Sequence, residues 1–94
     1  MGRYKCPGTY QRCPTLFLLE LPGFPIARRS VPKTPRSGGG LRMRWKDRHG
    51  TIYEWDYQHG VVELYDSQGH HLGEFDPQTG RQTGPAKPNR RVEP

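Results

Sequence analysis

Residues 41–80 consist of short alternating segments separated by turn signals, and this pattern restricts the possible folds most strongly. Apolar and charged or polar side chains alternate at period two in residues 41–45, 51–58, 61–65 and 70–75. Side chains that alternate in this way point to opposite faces of a β-strand, and the glycine-containing stretches between them favour chain reversals. We therefore predict a mainly β protein, an antiparallel meander with a packed aromatic face and a charged solvent face.

The composition agrees with a small fold that has a thin core. Of the 94 residues only 31% are hydrophobic, while 12 glycines and 10 prolines exceed their usual share. Such a composition excludes a helical bundle, a coiled coil and a large α/β enzyme. The formal net charge of +6 indicates a polyanionic partner, either nucleic acid or an acidic protein.

One predicted hairpin, residues 53–65, contains the candidate catalytic groups. A two-residue loop at 59–60 would place Asp56 directly opposite Glu63 on the exposed face. The same register would keep Tyr57 on the buried face with the other aromatic side chains. A three-residue loop would mix charged and apolar side chains on both faces, so the two-residue loop is the predicted one.

These side chains are suited to cleaving RNA. Two adjacent carboxylates repel each other, which makes one of them a better base. His59, at the turn, can hold or transfer a proton near neutral pH. The base would take the proton of a ribose 2′-hydroxyl, the imidazole would protonate the departing 5′-oxygen, and arginine would stabilise the phosphorane. The alternative is that Asp56 and Glu63 are ordinary solvated surface groups.

Basic side chains surround this hairpin. Four of them are candidate RNA contacts on the predicted solvent face: Arg42, Arg44, Lys46 and Arg48. Lys33, beside the glycine run, either contacts phosphate or only extends a linker. Tyr65, predicted to be exposed, is a candidate for stacking on a base. The same charges would also serve as a solubilising face or as a docking surface for an acidic protein.

The N-terminal third is irregular, and residues 32–40 form an extended proline stretch followed by a glycine hinge. The apolar segment 16–21 predicts a short helix or a strand, and it is far below the ~18 residues of a membrane span. Cys6 and Cys13 form either a local disulfide or two reduced thiols. No metal or other cofactor is predicted, because the cysteines and histidines lack ligand spacing and adjacent His70 and His71 point to opposite sides of a strand, one buried and one exposed.

Five sequence blocks occur in an order and at a spacing that is familiar from one group of toxins. They are Val31-Pro-Lys-Thr-Pro-Arg-Ser-Gly-Gly-Gly40, Arg42-x-Arg-Trp45, Ile52-Tyr-Glu-Trp-Asp-x-Gln-His-Gly60, His71-Leu-Gly73 and Phe75-Asp-Pro-x-Thr-Gly80. From Val31 to about Arg91 the chain resembles the C-terminal cytotoxic domain of the ribosome-inactivating colicins and of related bacteriocins and contact-dependent toxins.

The resemblance implies a highly twisted antiparallel sheet with a short N-terminal helix. It also implies a metal-independent ribonuclease that makes a single cut in 16S ribosomal RNA at the decoding site. By position, Glu63 is the base, His59 the acid, and Asp56 orients or charges the imidazole. The family's active-site tyrosine corresponds to Tyr65.

The family's C-terminal arginine best matches Arg90, although the proline spacing is shifted by one. Arg91 or Lys87 is therefore an alternative, and Lys87 is included among the RNA-binding candidates. The family tends to have a lysine where this chain has Thr83, so one phosphate contact is either missing or supplied by Arg81.

The resemblance further implies the partners and the place of action. These are the 30S subunit or 70S ribosome, an acidic immunity protein, and a larger delivery polypeptide of which this chain is a part. We expect a secreted or cell-surface-delivered effector that acts in the cytoplasm of a target bacterium. Residues 1–30 are expected to be an irregular segment with a role in uptake, and residues 31–94 the ribonuclease domain. The alternatives are a ribonuclease that acts on transfer RNA and a non-catalytic basic module that binds RNA or protein.

Overall fold

A computed structural model describes residues 20–94 and contains one six-stranded antiparallel sheet. Each strand pairs with the next along the chain, which confirms the mainly β meander. The strands are β1 Arg28–Ser30, β2 Arg44–Lys46, β3 Ile52–Asp56, β4 Val61–Tyr65, β5 His71–Phe75 and β6 Gln82–Gly84. Across residues 20–94 no helix could span a membrane. The expected N-terminal helix, most of segment 16–21 and both cysteines lie outside the described residues.

The observed strands differ from the predicted ones mainly in length. β4 has the predicted bounds, whereas β3 ends at Asp56 and leaves Tyr57 in the following loop. Tyr57 is 44% exposed and its hydroxyl donates to the Ser37 carbonyl, so its predicted burial is wrong. The edge strands β1 and β6 were not predicted, because three residues give too little periodicity to recognise.

Aspartates begin all four hairpin turns between β2 and β6, and the turns are of two types. In one type, Asp56 and Asp76 accept hydrogen bonds at Oδ1 from the N–H groups two and three residues later. Gly60 and Gly80 then close these turns at positive φ, 67° and 78°, a conformation that glycine adopts without a Cβ clash. The other type begins at Asp47 and Asp66, at the opposite end of the strands. There the aspartate Oδ1 accepts hydrogen bonds from the backbone N–H groups two and four residues later.

The turn that starts at Asp56 sets the register of the central hairpin. Asp56 pairs with Val61 and Glu54 pairs with Glu63, so the loop is the four residues 57–60. The predicted pairing of Asp56 with Glu63 is therefore wrong. A loop longer by two residues keeps every side chain on its predicted face, since strand side chains repeat every two residues. Asp56 and Glu63 are diagonal neighbours on one face, and the Cα atoms of such neighbours usually lie about 7–8 Å apart.

The apolar face of the sheet packs under residues 20–27. The Phe24 ring centroid lies 5.1 Å from that of Tyr53 and 5.9 Å from that of Phe75. Leu21 and Ala27 are buried in the same cluster, which also includes the following strand residues: Trp45, Tyr53, Val62 and Leu64. The described part of residues 1–30 therefore contributes to the core, while the role of residues 1–30 in uptake stays a prediction.

The opposite face, here called the polar face, is also covered. Its buried charged and histidine side chains are Arg44, Glu54, Asp56, Glu63 and His71. Thr34, in the proline–glycine segment, donates to Glu54 over a distance of 2.6 Å, and the backbone N–H of His71 donates to the Arg90 carbonyl. The predicted solvent exposure of Arg44, Asp56 and Glu63 is wrong, because irregular chain on both sides encloses the sheet.

Candidate active site

The imidazole of His59 is held by the aspartate that begins its own turn. His59 Nδ1 lies 2.7 Å from Asp56 Oδ2, while Asp56 Oδ1 accepts the N–H groups of Gln58 and His59. The Asp56 side chain is 4% exposed and that of His59 is 68% exposed. One carboxylate thus closes the turn and orients the ring, and the Nε2 atom is left available to a ligand in solvent.

Hydrogen bonding and charge shift the pKa values of both partners. Burial alone would raise the pKa of Asp56, but the hydrogen bond from His59 and the positive charge of Arg42 outweigh it, and the pKa is lowered. The hydrogen bond to Asp56 and the charge of that carboxylate raise the pKa of His59. His59 therefore keeps its imidazolium form to a higher pH than an ordinary histidine, which is the form that donates a proton.

Glu63, in the middle of β4, is fully buried, and its two carboxylate oxygens have different surroundings. Oε1 lies 2.6 Å from His71 Nε2, whose side chain is also 0% exposed. Among residues 20–94, Oε2 has no hydrogen-bond partner, and the nearest cation is Arg90 Nη1 at 3.6 Å. A buried oxygen of this kind has free lone pairs for a proton.

Tyr65 lies two residues beyond Glu63 on the same face and is 1% exposed. Its predicted exposure is therefore wrong, because its ring packs edge-on against His71 with centroids 5.2 Å apart. Burial raises the pKa of Tyr65 to about 12, with Arg90 acting in the opposite direction. Tyr65 therefore packs against the same imidazole that contacts Glu63.

The statistical model of a family described as Cytotoxic matches residues 14–93. The chain belongs to the Cytotoxic family. This confirms the resemblance inferred from the sequence blocks, and the match begins well before Val31.

Three Escherichia coli proteins are similar to this Cytotoxic domain. Colicin E3 is 52% identical over 65 residues, which is 66% of this chain and 12% of that protein. Cloacin is 46% and Colicin-E6 45% identical, each over 76 residues, 78% of this chain and 14% of the relative. The chain thus spans about an eighth of the length of these relatives.

The C-terminal basic residues of the Cytotoxic domain lie at different places. Arg90 has its guanidinium beside Glu63, whereas Arg91 donates to the Gln68 carbonyl in the β4–β5 turn. The backbone N–H of Lys87 donates a hydrogen bond to His71 Nδ1, and the Lys87 side chain is on the surface. Arg81 is exposed in the turn before β6 and donates its N–H to the Thr79 hydroxyl.

The remaining predicted RNA contacts are divided between surface and interior. Arg42 is half-buried and near Asp56, Lys46 is half-buried in β2, and Arg48 is exposed. Lys33 donates to the Pro94 carbonyl over 2.6 Å. Arg44, by contrast, is fully buried with Nη2 2.7 Å from Glu54 Oε2, and this ion pair takes it out of reach of a nucleic acid.

Sequence reasoning missed the hydrogen-bonding partner of Glu63. His71 belongs to one of the familiar blocks, and one of His70 and His71 was predicted to be buried, but no contact with Glu63 was predicted. The structure shows His71 buried and His70 exposed. Neither the Glu63–His71 contact nor the Arg44–Glu54 pair has a local sequence signal, since each joins different strands. Within residues 20–94 no group of three or more His, Cys, Asp or Glu side chains is arranged to hold a metal ion.

Proposed function

We propose that this Cytotoxic domain is a toxin ribonuclease that cuts 16S ribosomal RNA at the decoding site and so stops translation. The observation that supports it best is the pairing of an exposed His59, held by Asp56, with a carboxylate oxygen of Glu63 that has no hydrogen-bond partner in the described part of the chain. His59 lies in the loop of the β3–β4 hairpin, and Glu63 lies on the polar face of the same hairpin. The similarity of this chain to Colicin E3, Cloacin and Colicin-E6 also supports the proposal of a ribosomal RNA substrate.

In the proposed reaction, Glu63 Oε2 takes the proton of a ribose 2′-hydroxyl. The 2′-oxygen attacks the adjacent phosphorus, and the bond from phosphorus to the 5′-oxygen breaks, which leaves a 2′,3′-cyclic phosphate. His59 Nε2 donates its proton to the departing 5′-oxygen. Asp56 keeps the imidazole charged and oriented, and such proton transfers each contribute about 10²–10⁴-fold to the rate.

Arg90 has two tasks in this proposal. It is the cation nearest to Glu63 Oε2, and its side chain is 32% exposed while Glu63 is 0% exposed. An RNA phosphate competes for the guanidinium, because arginine binds phosphate through two parallel hydrogen bonds. Movement of Arg90 toward the phosphate opens Glu63 to the 2′-hydroxyl and places positive charge where the phosphorane forms.

We also propose the partners and the site of action that the sequence suggested. The net charge of +6 favours ribosomal RNA as target and an acidic immunity protein as inhibitor. Because the chain spans only 12–14% of its relatives, we propose that it acts as the toxic part of a larger delivered protein. It would work in the cytoplasm of the target bacterium after secretion or delivery from the cell surface.

The test is to incubate purified ribosomes with the domain in EDTA and to map the 3′-terminal fragments. We expect one cut in 16S RNA, lost in Glu63→Gln and His59→Ala. His49→Ala, which changes an exposed histidine in the β2–β3 turn, is the matched control and should cut normally. Cleavage of transfer RNA alone, or binding without any cleavage, would contradict the proposal and support one of the two alternatives. Normal cutting by both site variants would contradict the assigned residues.

A further inference from the structure

A buried imidazole, that of His71, contacts the proposed base and has no task in the reaction described above. His71 Nε2 lies 2.6 Å from Glu63 Oε1, and both side chains are 0% exposed. The other ring nitrogen, Nδ1, accepts a hydrogen bond of 2.9 Å from the backbone N–H of Lys87. Both ring nitrogens are therefore engaged, each with a group of fixed position.

The partner of Nδ1 determines where the proton of His71 lies. A backbone N–H can only donate, so Nδ1 has a free lone pair and carries no hydrogen. The single N–H of the neutral ring is then on Nε2 and donates to Glu63 Oε1. His71 is therefore a hydrogen-bond donor to Glu63 at this site.

The ring of His71 has little freedom to leave this position. It packs edge-on against Tyr65, with ring centroids 5.2 Å apart, and its own backbone N–H donates to the Arg90 carbonyl. Tyr65 and His71 are paired across β4 and β5, where the register shifts at an irregularity. Turning the Glu63 carboxylate would break a short hydrogen bond between two buried groups, which is costly at low local dielectric.

We propose that His71 is the positioning residue of Glu63, and this rests on the proposed function. By occupying Oε1, His71 leaves Oε2 as the oxygen that receives the substrate proton, and it fixes the direction of the lone pairs on Oε2. The domain thus has two carboxylate–imidazole pairs with opposite tasks. In the Asp56–His59 pair the carboxylate orients the imidazole, and in the Glu63–His71 pair the imidazole orients the carboxylate.

Two substitutions at His71 separate positioning from packing. His71→Leu removes the donor and retains an apolar side chain, whereas His71→Gln retains an N–H donor at the position of Nε2. We expect His71→Leu to lower kcat on ribosomes at least about tenfold, less than the 10²–10⁴-fold that a general base contributes, with KM almost unchanged. His71→Gln should recover most of that loss. The control is His70→Gln, whose exposed side chain faces Asp66.

The outcomes distinguish the two proposals. Failure of the unaltered domain to cut ribosomal RNA overturns the proposed function itself. Normal cutting by the unaltered domain, loss of cutting in Glu63→Gln and a normal kcat in folded His71→Leu overturn the role of His71 alone. Equal losses in His71→Leu and His71→Gln, in variants with normal thermal stability, also overturn it.

A spectroscopic measurement decides the matter if His71→Leu does not fold. The nitrogen-15 spectrum of the unaltered domain should show His71 with a protonated Nε2 and a bare Nδ1, and His71→Gln should still be tested for cutting. A His71 ring protonated at both nitrogens, or only at Nδ1, would overturn the assignment. The same spectrum provides an internal comparison, since His59 should keep both nitrogens protonated to a higher pH than an ordinary histidine.

Discussion

Asp56 combines two tasks in one side chain, and the two oxygens divide them. Oδ1 closes the turn through backbone N–H groups, and Oδ2 holds His59 at 2.7 Å. Asp76 closes an equivalent turn in the same way, but its fourth residue is Thr79 instead of a histidine. The turn at Asp76 therefore forms without a histidine, and the contact with an imidazole is an additional feature of Asp56.

A prediction at the residue scale follows from this pair. Asp56→Asn retains an oxygen for the turn but loses the charge that raises the pKa of His59. Since the imidazolium is the proposed proton donor, activity should fall at high pH as His59 loses its proton. In Asp56→Asn this alkaline limb of the kcat/KM profile should shift to lower pH, toward the ordinary histidine value of about 6.5.

Asp76→Asn is the matched control for this measurement. It makes the same chemical change in the same type of turn, away from His59, and should leave the alkaline limb unmoved. An identical shift in both variants, or no shift in Asp56→Asn, would contradict the role given to Asp56.

At the scale of elements, the sequence predicted the faces of the central strands but not their pairing. Alternation alone placed Tyr53 and Trp55 on one face and Asp56 on the other, and the structure agrees. Alternation cannot distinguish a loop of two residues from one of four, because both preserve the faces. The repeated pattern Asp-x-Gln-x-Gly at 56–60 and 76–80 is the local signal for the longer loop.

The candidate site was predictable to the extent that it is local. Asp56, His59 and Glu63 lie within one hairpin, and the resemblance assigned all three. The partners from other elements, His71 and Arg90, depend on how β5 and the C-terminal segment return to β4, and a single sequence contains no direct record of such contacts. Burial of the polar face was missed for the same reason.

The Arg44–Glu54 pair makes a second prediction, at the scale of elements. Both side chains are 0% exposed and join β2 to β3. Arg44→Met should destabilise the fold by about 3–5 kcal/mol, because it leaves the Glu54 carboxylate buried without its cation. Urea unfolding measures the change in the free energy of unfolding.

Arg48→Met, an exposed change of the same chemistry, should alter that free energy by less than about 0.5 kcal/mol. The double variant Arg44→Met with Glu54→Leu should regain much of the loss, since it removes both charges. Similar values for Arg44→Met and Arg48→Met would show that the buried pair is not what stabilises these strands.

At the scale of the whole molecule, irregular chain encloses a sheet that is too small to enclose itself. Residues 20–27 cover the apolar face, and residues 87–92 reach the polar face. The second segment supplies a backbone donor to His71 and the guanidinium beside Glu63. Stability and the candidate site therefore depend on the same stretch of chain.

Shortening the C-terminus tests this dependence. Deletion of residues 87–94 should lower the melting temperature and reduce ribosome cleavage at least about tenfold. Glu63 then loses the guanidinium of Arg90, and His71 loses the backbone N–H of Lys87. Deletion of residues 93–94 removes only the contacts with Lys33 and should retain nearly normal cleavage. Thermal unfolding and the fragment assay measure both effects, and equal results for the two deletions would contradict the expectation.

The net charge gives a prediction for the complete domain. With +6 on 94 residues, association with ribosomal RNA should depend strongly on ionic strength. Raising the salt from about 0.05 to 0.3 M shortens the screening length to less than half and should reduce kcat/KM at least tenfold, with kcat at saturation much less affected. A kcat/KM independent of salt would show that the positive surface does not guide binding.

The loop at 57–60 illustrates a limit on how this protein can change. Its side chains are exposed, and surface loops usually accept insertions and deletions. Here a single inserted residue leaves Glu63 on the polar face only if the loop itself lengthens. If the four-residue turn were kept instead, β4 would slip by one residue against β3, which would turn Glu63 to the apolar side and Val62 to the charged side. Tyr57 and Gln58 can therefore be substituted more freely than His59 and Gly60. A change in the length of the loop preserves the site only where Asp56 stays paired with Val61.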